Sequence, residues 1–265
     1  MGYQGMQAVW LGVALGVLGE SAATASAQFP SKIEPATQAA NDLQAANDLQ
    51  SVAAAIPLDR LPPKVRDGVR RVLEQPTLFA QGPAEVFRAR ASFYRWLLDH
   101  PDRAVQMWHR LGARCITIRE RGAGKFGWAD GQGTDISWQT IHSAPGTQVW
   151  YAEGVATPGP VLPAVPLRAV VVLRYAETSA LSSLLPEGQA RGRTLMFHQA
   201  EVFVQTDSQT AALIAKLLGS SAPKLAEKCI GQMEMFFSAL AWYVDRHPER
   251  AETLLSGLLP PGSAN

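Results

Sequence analysis

The sequence predicts an α+β domain: an antiparallel β-sheet packed against a long C-terminal helix, with additional N-terminal helices. Three observations predict it. Between Arg114 and Thr206 apolar residues recur at every second position, the period of half-buried strands. Before and after that region they recur every three or four residues, the period of helices. The last helix, Pro223 to His247, has no polar residue but Ser238 between Met235 and Val244, so it must be covered on all sides.

The chain has 265 residues, is 47% hydrophobic and 18% charged, and carries a formal charge of +1. Such a chain buries one good core. Near-neutral charge without a basic face argues against a nucleic-acid partner, and no polybasic segment points to an anionic membrane surface. The N-terminus reads as an export signal. An apolar stretch, Ala8 to Leu18, too short to span a bilayer, is followed by small residues and the A-x-A site Ala25–Ala27. Its n-region lacks Lys and Arg, and a buried helix or an uncleaved anchor is the alternative. The expected organisation is a signal peptide over 1–27 cleaved after Ala27, a flexible linker over 28–57, a single α+β domain over 58–258 and a disordered tail over 259–265. An exported chain of this kind is periplasmic or secreted, with no integral membrane span. The linker holds a tandem hexamer, Ala39–Gln50, which drifts around a helix and keeps no seam. Export lets Cys115 and Cys229 close one disulfide over a long loop; two separate buried thiols are the alternative.

The elements follow in order. In Leu61–Gln75, Val65, Val69 and Val72 share a helical face. Gly82 breaks the chain, Pro83 suits a first helical turn, and Val86, Phe87, Ala91, Tyr94, Leu97 and Leu98 continue as an apolar stripe. That helix meets His100–Pro101. Proline disfavours helical geometry in the residue before it yet fits the first turn of a new helix, which runs to Gly112. The pattern Trp96–Ala104 has an echo in Trp242–Ala251, with the same His-Pro step at His247–Pro248. Both read as a stop, a corner and a restart rather than as a duplicated active site. Strands are expected over Arg114–Arg121, Gly124–Asp130, Thr134–Ile141 and Thr147–Ala156, with turns at Asp130–Gly133 and Ala144–Gly146. A Pro-rich loop over Thr157–Pro166 leads to a central strand, Leu167–Tyr175. A further loop over Ala176–Arg191 leads to the longest strand, Arg193–Thr206. A helix over Asp207–Gly219 precedes the last long one, whose first half puts Leu225, Cys229 and Met233 on one side.

The available chemistry is narrow. The five histidines, His100, His109, His142, His198 and His247, have no metal-ligand spacing, and there is no C-x-x-C; no metal and no cofactor are expected. There is no G-x-S-x-G. Gly122–Gly133 has the glycines of a phosphate loop, but Phe126 follows Lys125 and a strand follows the loop, so strand turns explain it. Aromatic residues remain. Trp128, Trp138, Trp150 and Tyr151 fall on strands, and Phe236 and Phe237 on the last helix, near Met233 and Leu240. They form either a solid core or the wall of a partly hollow one. Tyr175 and His198, with His142 and Gln199, are polar groups in apolar strands. If inward, they are satisfied internally or orient a ligand head group.

The order helices, antiparallel meander, long C-terminal helix resembles the helix-grip fold of the START and polyketide-cyclase superfamily. There a curved sheet closes around its last helix. The span "PTLFAQGPAEVF…HPDRAVQMW" looks like that superfamily's first strand, helix start and second helix, and the resemblance covers Pro76 to His247. The insert around Leu181–Leu185, the extra turn Asp207–Gly219 and the helix before Pro76 depart from the pattern. The resemblance implies a cavity between sheet and helix suited to lipids or other hydrophobes, and it carries no functional residue over.

The leading expectation is an exported, non-enzymatic protein that carries an apolar small molecule, lipid-like, bound by Trp128, Trp138, Trp150, Tyr151, Tyr175, His198, Met233, Phe236, Phe237 and Leu240. The rival is an exported interaction domain with a solid core. A third is a cyclase- or hydrolase-like enzyme using an inward acid such as Glu201 or His198.

Overall fold

The computed structural model describes residues 56–157, 164–178, 195–207 and 222–258. The expected leader, the linker up to residue 55, the tail, and the helix over Asp207–Gly219 apart from its first residue lie outside them. So does most of the loop expected between the two longest strands.

A 3₁₀ turn (Leu58–Arg60) precedes helix α1 (Pro63–Glu74). Two short strands, β1 (Leu78–Gln81) and β2 (Glu85–Arg88), lead to helices α2 (Ala91–Asp99) and α3 (Pro101–Arg110). The meander is β3 (Arg119–Glu120), β4 (Lys125–Ala129), β5 (Asp135–Ala144), β6 (Thr147–Ala156), β7 (Val165–Thr178) and β8 (Leu195–Thr206). Helices α4 (Ala222–Arg246) and α5 (Pro248–Leu255) complete it. All the strands join one antiparallel sheet in the order β1-β8-β7-β6-β5-β4-β3, with β2 also on β8. This is the α+β architecture read from the sequence.

Strand alternation divides the sheet into two apolar faces. Leu167, Ala169, Val171, Leu173 and Tyr175 of β7 join the large core under α2, α3, α4 and α5. Val170 and Val172 point the other way, into a smaller core with Val65, Val69 and Val72 of α1. Gly68 explains how closely α1 sits. A Cβ there would collide with the Tyr151 hydroxyl, so the helix tolerates a poor helix former to gain contact with the sheet. A sheet buried on both faces accounts for the continuous apolar run of β7.

Three expectations need correction. Gly82–Arg88 does not begin a helix: Glu85–Arg88 is strand β2, and α2 starts only at Ala91. The exposed side of β8 lacks a ladder partner, and that requirement overrides a helix-compatible pattern. Of Arg114–Arg121 only Arg119–Glu120 pairs, while Ile118 is buried in the core outside any strand. The last helix is not covered all round. Leu240 is fully buried, but Met235 and Trp242 are 54% and 44% exposed on its outer side.

The two His-Pro steps are the same corner. His100 ends α2 and opens α3 at φ −130°, ψ 63°; His247 does so between α4 and α5 at φ −126°, ψ 64°. In each, the following proline takes the first helical position. Each imidazole lies on the ring four residues earlier, Trp96 at 5.0 Å and Tyr243 at 4.8 Å between centroids. The His100 Nδ1–H also donates to the Trp96 carbonyl at 2.9 Å. The equivalent rings are therefore set by distance from the histidine, and Trp242 is not the counterpart of Trp96.

Leu240→Ala should destabilise the chain by about 2–5 kcal/mol, and Trp242→Ala by under about 1 kcal/mol. His100→Ala and His247→Ala should each cost about 1 kcal/mol or less, the worth of one local contact. Urea midpoints of the four variants check this. Equal effects of Leu240→Ala and Trp242→Ala would show that α4 is peripheral.

Candidate functional site

The polar groups of the large core collect where α4 crosses the sheet's β1/β2 edge. These two strands are one edge strand interrupted by a bulge. Leu78–Gln81 pairs with Val204–Glu201, and Glu85–Arg88 pairs with His198–Leu195. Gly82, Pro83 and Ala84 thus lie opposite only Gln199 and Ala200. Proline has no N–H for a ladder, and a bulge is where a strand accommodates it. The Gly82 N–H still donates to the Ala200 carbonyl at 2.8 Å. The return bond is diverted. The Ala200 N–H donates to Glu234 Oε1 of α4 at 2.5 Å, and the Gly82 carbonyl accepts from Gln199 Nε2 at 3.1 Å. Side chains thereby satisfy backbone groups that the bulge would leave orphaned. Two glycines permit the approach: a Cβ on Gly82 would collide with Glu234 and Ile230, and one on Gly231 would press on the Pro83 ring at 3.2 Å.

One turn along α4 the contact continues through a chain of side chains. Ser238 Oγ donates to Glu85 Oε2 at 3.1 Å. His198 Nε2 lies 3.0 Å from the same oxygen, and its Nδ1 lies 2.5 Å from the Tyr94 hydroxyl. A carboxylate only accepts, so Nε2 carries the proton and, in the neutral ring, Nδ1 accepts from Tyr94. His198 and Tyr94 are fully buried, while about a third of the Glu85 side chain reaches solvent. Phe87 seals the array, with its ring 4.9 Å from His198 and 5.2 Å from Tyr94.

Burial raises the Glu234 carboxyl to about 8; the Ala200 N–H opposes the shift and the Glu85 charge adds to it. Glu234 Oε2 is buried without a hydrogen-bond partner. At neutral pH this carboxyl is therefore mostly protonated. Burial, then Glu234, Glu85 and Tyr175, hold the Tyr94 hydroxyl proton far more tightly than an ordinary phenol does. A carboxylate–imidazole–hydroxyl series has the order of an acid–base relay. Here its terminal hydroxyl is both hard to ionise and closed to solvent. The arrangement holds protons in place; it does not present an activated nucleophile. Among the described residues no cluster of His, Cys, Asp and Glu could hold a metal ion.

The expected ligand-binding residues divide. Trp128, Trp138, Trp150, Tyr175, Met233, Phe237 and Leu240 meet in the large core, with Phe236 partly buried against it. His198 joins them through Tyr94. Tyr151 does not: it lies on the opposite face, under α1, with its hydroxyl donating to Glu153 at 3.2 Å. Adjacent strand residues point to opposite faces, so Trp150 and Tyr151 cannot both face inward. Glu201, considered as an inward acid, also lies on the α1 side, where it pairs with Arg174 at 3.4 Å and contacts Gln81 at 3.5 Å. Cys115 and Cys229 are separate free thiols, so the bridge is not formed. In the large core the indole N–H of Trp128 is buried with no acceptor.

The sequence reading missed Glu85, Glu234 and Ser238 as site residues and counted Tyr94 as core. One signal was present. Glu234 lies on the helical face that carries Ile230, Phe237 and Ala241, where a carboxylate has no ordinary place.

No family model and no curated protein matches this sequence. Among solved structures, a conserved protein from Geobacillus kaustophilus is similar with a TM-score of 0.41 and 11% identity, over 63% of this chain and 97% of that one. The di-domain ARO/CYC protein BexL from the BE-7585A biosynthetic pathway gives a TM-score of 0.37 and 15% identity over 77% of this chain. The match spans only 59% of the length of BexL. An uncharacterised protein from Rhizobium leguminosarum gives 0.28 and 12%, over 61% of this chain and 99% of that one. These likenesses assign no residue a role.

Between about pH 4.5 and 8 the unfolded chain sheds the Glu234 proton while the folded chain keeps it, so folded-state stability falls across that window and the loss is complete above it. Glu234→Gln should remove this decline and gain about 4 kcal/mol over wild type by pH 8. Tyr94→Phe should cost about 1–3 kcal/mol, because it leaves the buried His198 Nδ1 unpaired. Denaturant melts at several pH values check both. A wild-type stability that rises through this window in step with the variant would show Glu234 ionised in the fold.

Proposed function

We propose that this chain is an exported, non-enzymatic protein that binds and carries an apolar small molecule, lipid-like and bearing a hydrogen-bond acceptor, between the sheet and the C-terminal helix. The observation that carries the reading is the Trp128 indole N–H, buried without a partner in a core of aromatic and Met side chains. A buried donor left unmade costs about 1–3 kcal/mol, and native proteins seldom retain one without a use. A carbonyl or carboxyl oxygen on an otherwise apolar ligand would accept that bond. Trp138, Trp150, Met233 and Phe237 offer adaptable apolar contact to the ligand's body. Export rests on the apolar stretch Ala8–Leu18 and the A-x-A site Ala25–Ala27. The sealed His198–Tyr94 array favours the non-enzymatic reading, since no substrate atom reaches its hydroxyl.

A second reading has its own support. Met235 and Trp242 expose large apolar side chains two turns apart on α4, a pattern that suits a protein-binding domain with a solid core. Titration of the full chain with a fluorescent polyene fatty acid separates the two. Carriage predicts saturable binding and a change in tryptophan emission. Trp128→Phe should weaken fatty-acid binding about tenfold, the worth of one hydrogen bond, and leave a pure hydrocarbon probe unaffected. Absence of saturable binding, with no lipid mass co-purifying in native mass spectrometry, would overturn carriage in favour of the interaction domain.

A further inference from the structure

We infer that the edge strand Leu78–Arg88 is a proton-held latch: it stays closed on β8 while Glu234 keeps its proton, and parts from β8 at the Gly82–Ala84 bulge when that proton leaves for solvent. The inference goes beyond ligand carriage and holds whether or not the interior takes a ligand.

Three features carry it. First, the ladder is already broken at Gly82–Ala84, so opening there gives up fewer backbone bonds than along an unbroken pairing such as β7–β8. Second, side chains hold the break shut. Glu234 takes the Ala200 N–H, Gln199 takes the Gly82 carbonyl, and Ser238 and His198 both grip Glu85 of β2. Glu85 thus pins the strand to α4 and β8, while Glu234, whose Oε2 faces Gly82, ties α4 to β8 behind it. Third, among the described residues the basic group set against these carboxyls is His198, which lies against Glu85 and not Glu234. From β2 the facing charge is Glu85; from β8 it is His198, already donating to Glu85; from α2 it is Tyr94, donating to His198. Tyr175 of β7 stands behind Tyr94, with 5.9 Å between the rings. None of them supplies a positive charge to Glu234 while His198 is neutral.

Loss of the proton therefore leaves a carboxylate in an apolar seam, with one oxygen buried, unpartnered and facing Gly82. Such a state is costly unless water reaches it. Glu85 is already part-exposed, so the shortest route for water to Glu234 runs through the edge strand. The strand moves because it is short on both sides of the bulge, whereas β8 is held along its whole length by β7. A carboxyl raised to about 8 sets this event at mildly alkaline pH.

The test is amide hydrogen exchange on the full chain, with protection factors corrected for the intrinsic pH dependence of exchange. Between about pH 7 and 9.5, protection at Glu85–Arg88 and at Leu195–Ala200 should fall about tenfold or more, while β5 and β6 keep theirs. Glu234→Gln retains the acceptor oxygen without the charge and should abolish the fall. In the wild-type chain, a ¹³C label on the Glu234 carboxyl should titrate over the same pH range as the fall. Protection that does not change with pH overturns the latch. So does an equal fall in Glu234→Gln, a fall shared in step by β5 and β6, or a carboxyl titration that does not coincide with it.

Discussion

The approach of helix α4 to a broken strand is the contact on which the fold's two layers depend. A sheet normally meets a helix through side chains about 10 Å apart. Here two glycines, Gly82 and Gly231, bring backbone much closer, and a helix carboxyl completes the sheet's own hydrogen bonding. Strand β8, opposite the break, supplies what the helix needs, a buried donor for Glu234. The helix supplies what β8 loses at the bulge, an acceptor for the Ala200 N–H. Neither element could be moved alone. Helices α2 and α3 then build on this pair, with Tyr94 reaching His198 and the Trp108 indole donating to the Phe236 carbonyl at 3.0 Å.

Polar groups inside this core are arranged by what each can accept. Glu85, near solvent, accepts two hydrogen bonds at one oxygen. Glu234, farther in, accepts one and is kept neutral by burial. Burial disfavours the charged form of an acid, and Glu234 departs from the ordinary carboxylate range for that reason.

Much of the fold is legible in the sequence, because most of its signals are local. The alternation of β5 and β6, the valine stripe of α1 and the two prolines that restart helices each follow from neighbours within a few residues. What escaped was non-local. Strand β2 has four residues, and its partner on β8 lies more than a hundred residues away, so nothing near Glu85 says that it is paired. Glu234 and Glu85 meet only because both approach one bulge, and a bulge leaves no mark in sequence beyond a Gly-Pro step that equally suits a helix start. Of the aromatic candidates, those on α4 and on β4, β5 and β7 fell on the expected side. Tyr151 did not, although its place beside Trp150 in a strand already required it to point away.

The sheet's two ends bear on how copies of this chain can meet. At one end stands β3, two residues long, Arg119 and Glu120, both exposed and charged. At the other stands a strand whose run of N–H groups is interrupted by Pro83 and kinked by an extra residue. A continuous strand edge is a template on which another chain's strand can grow into fibrils, and neither end offers one. Lateral growth of the sheet from one molecule into the next is therefore blocked at both limits.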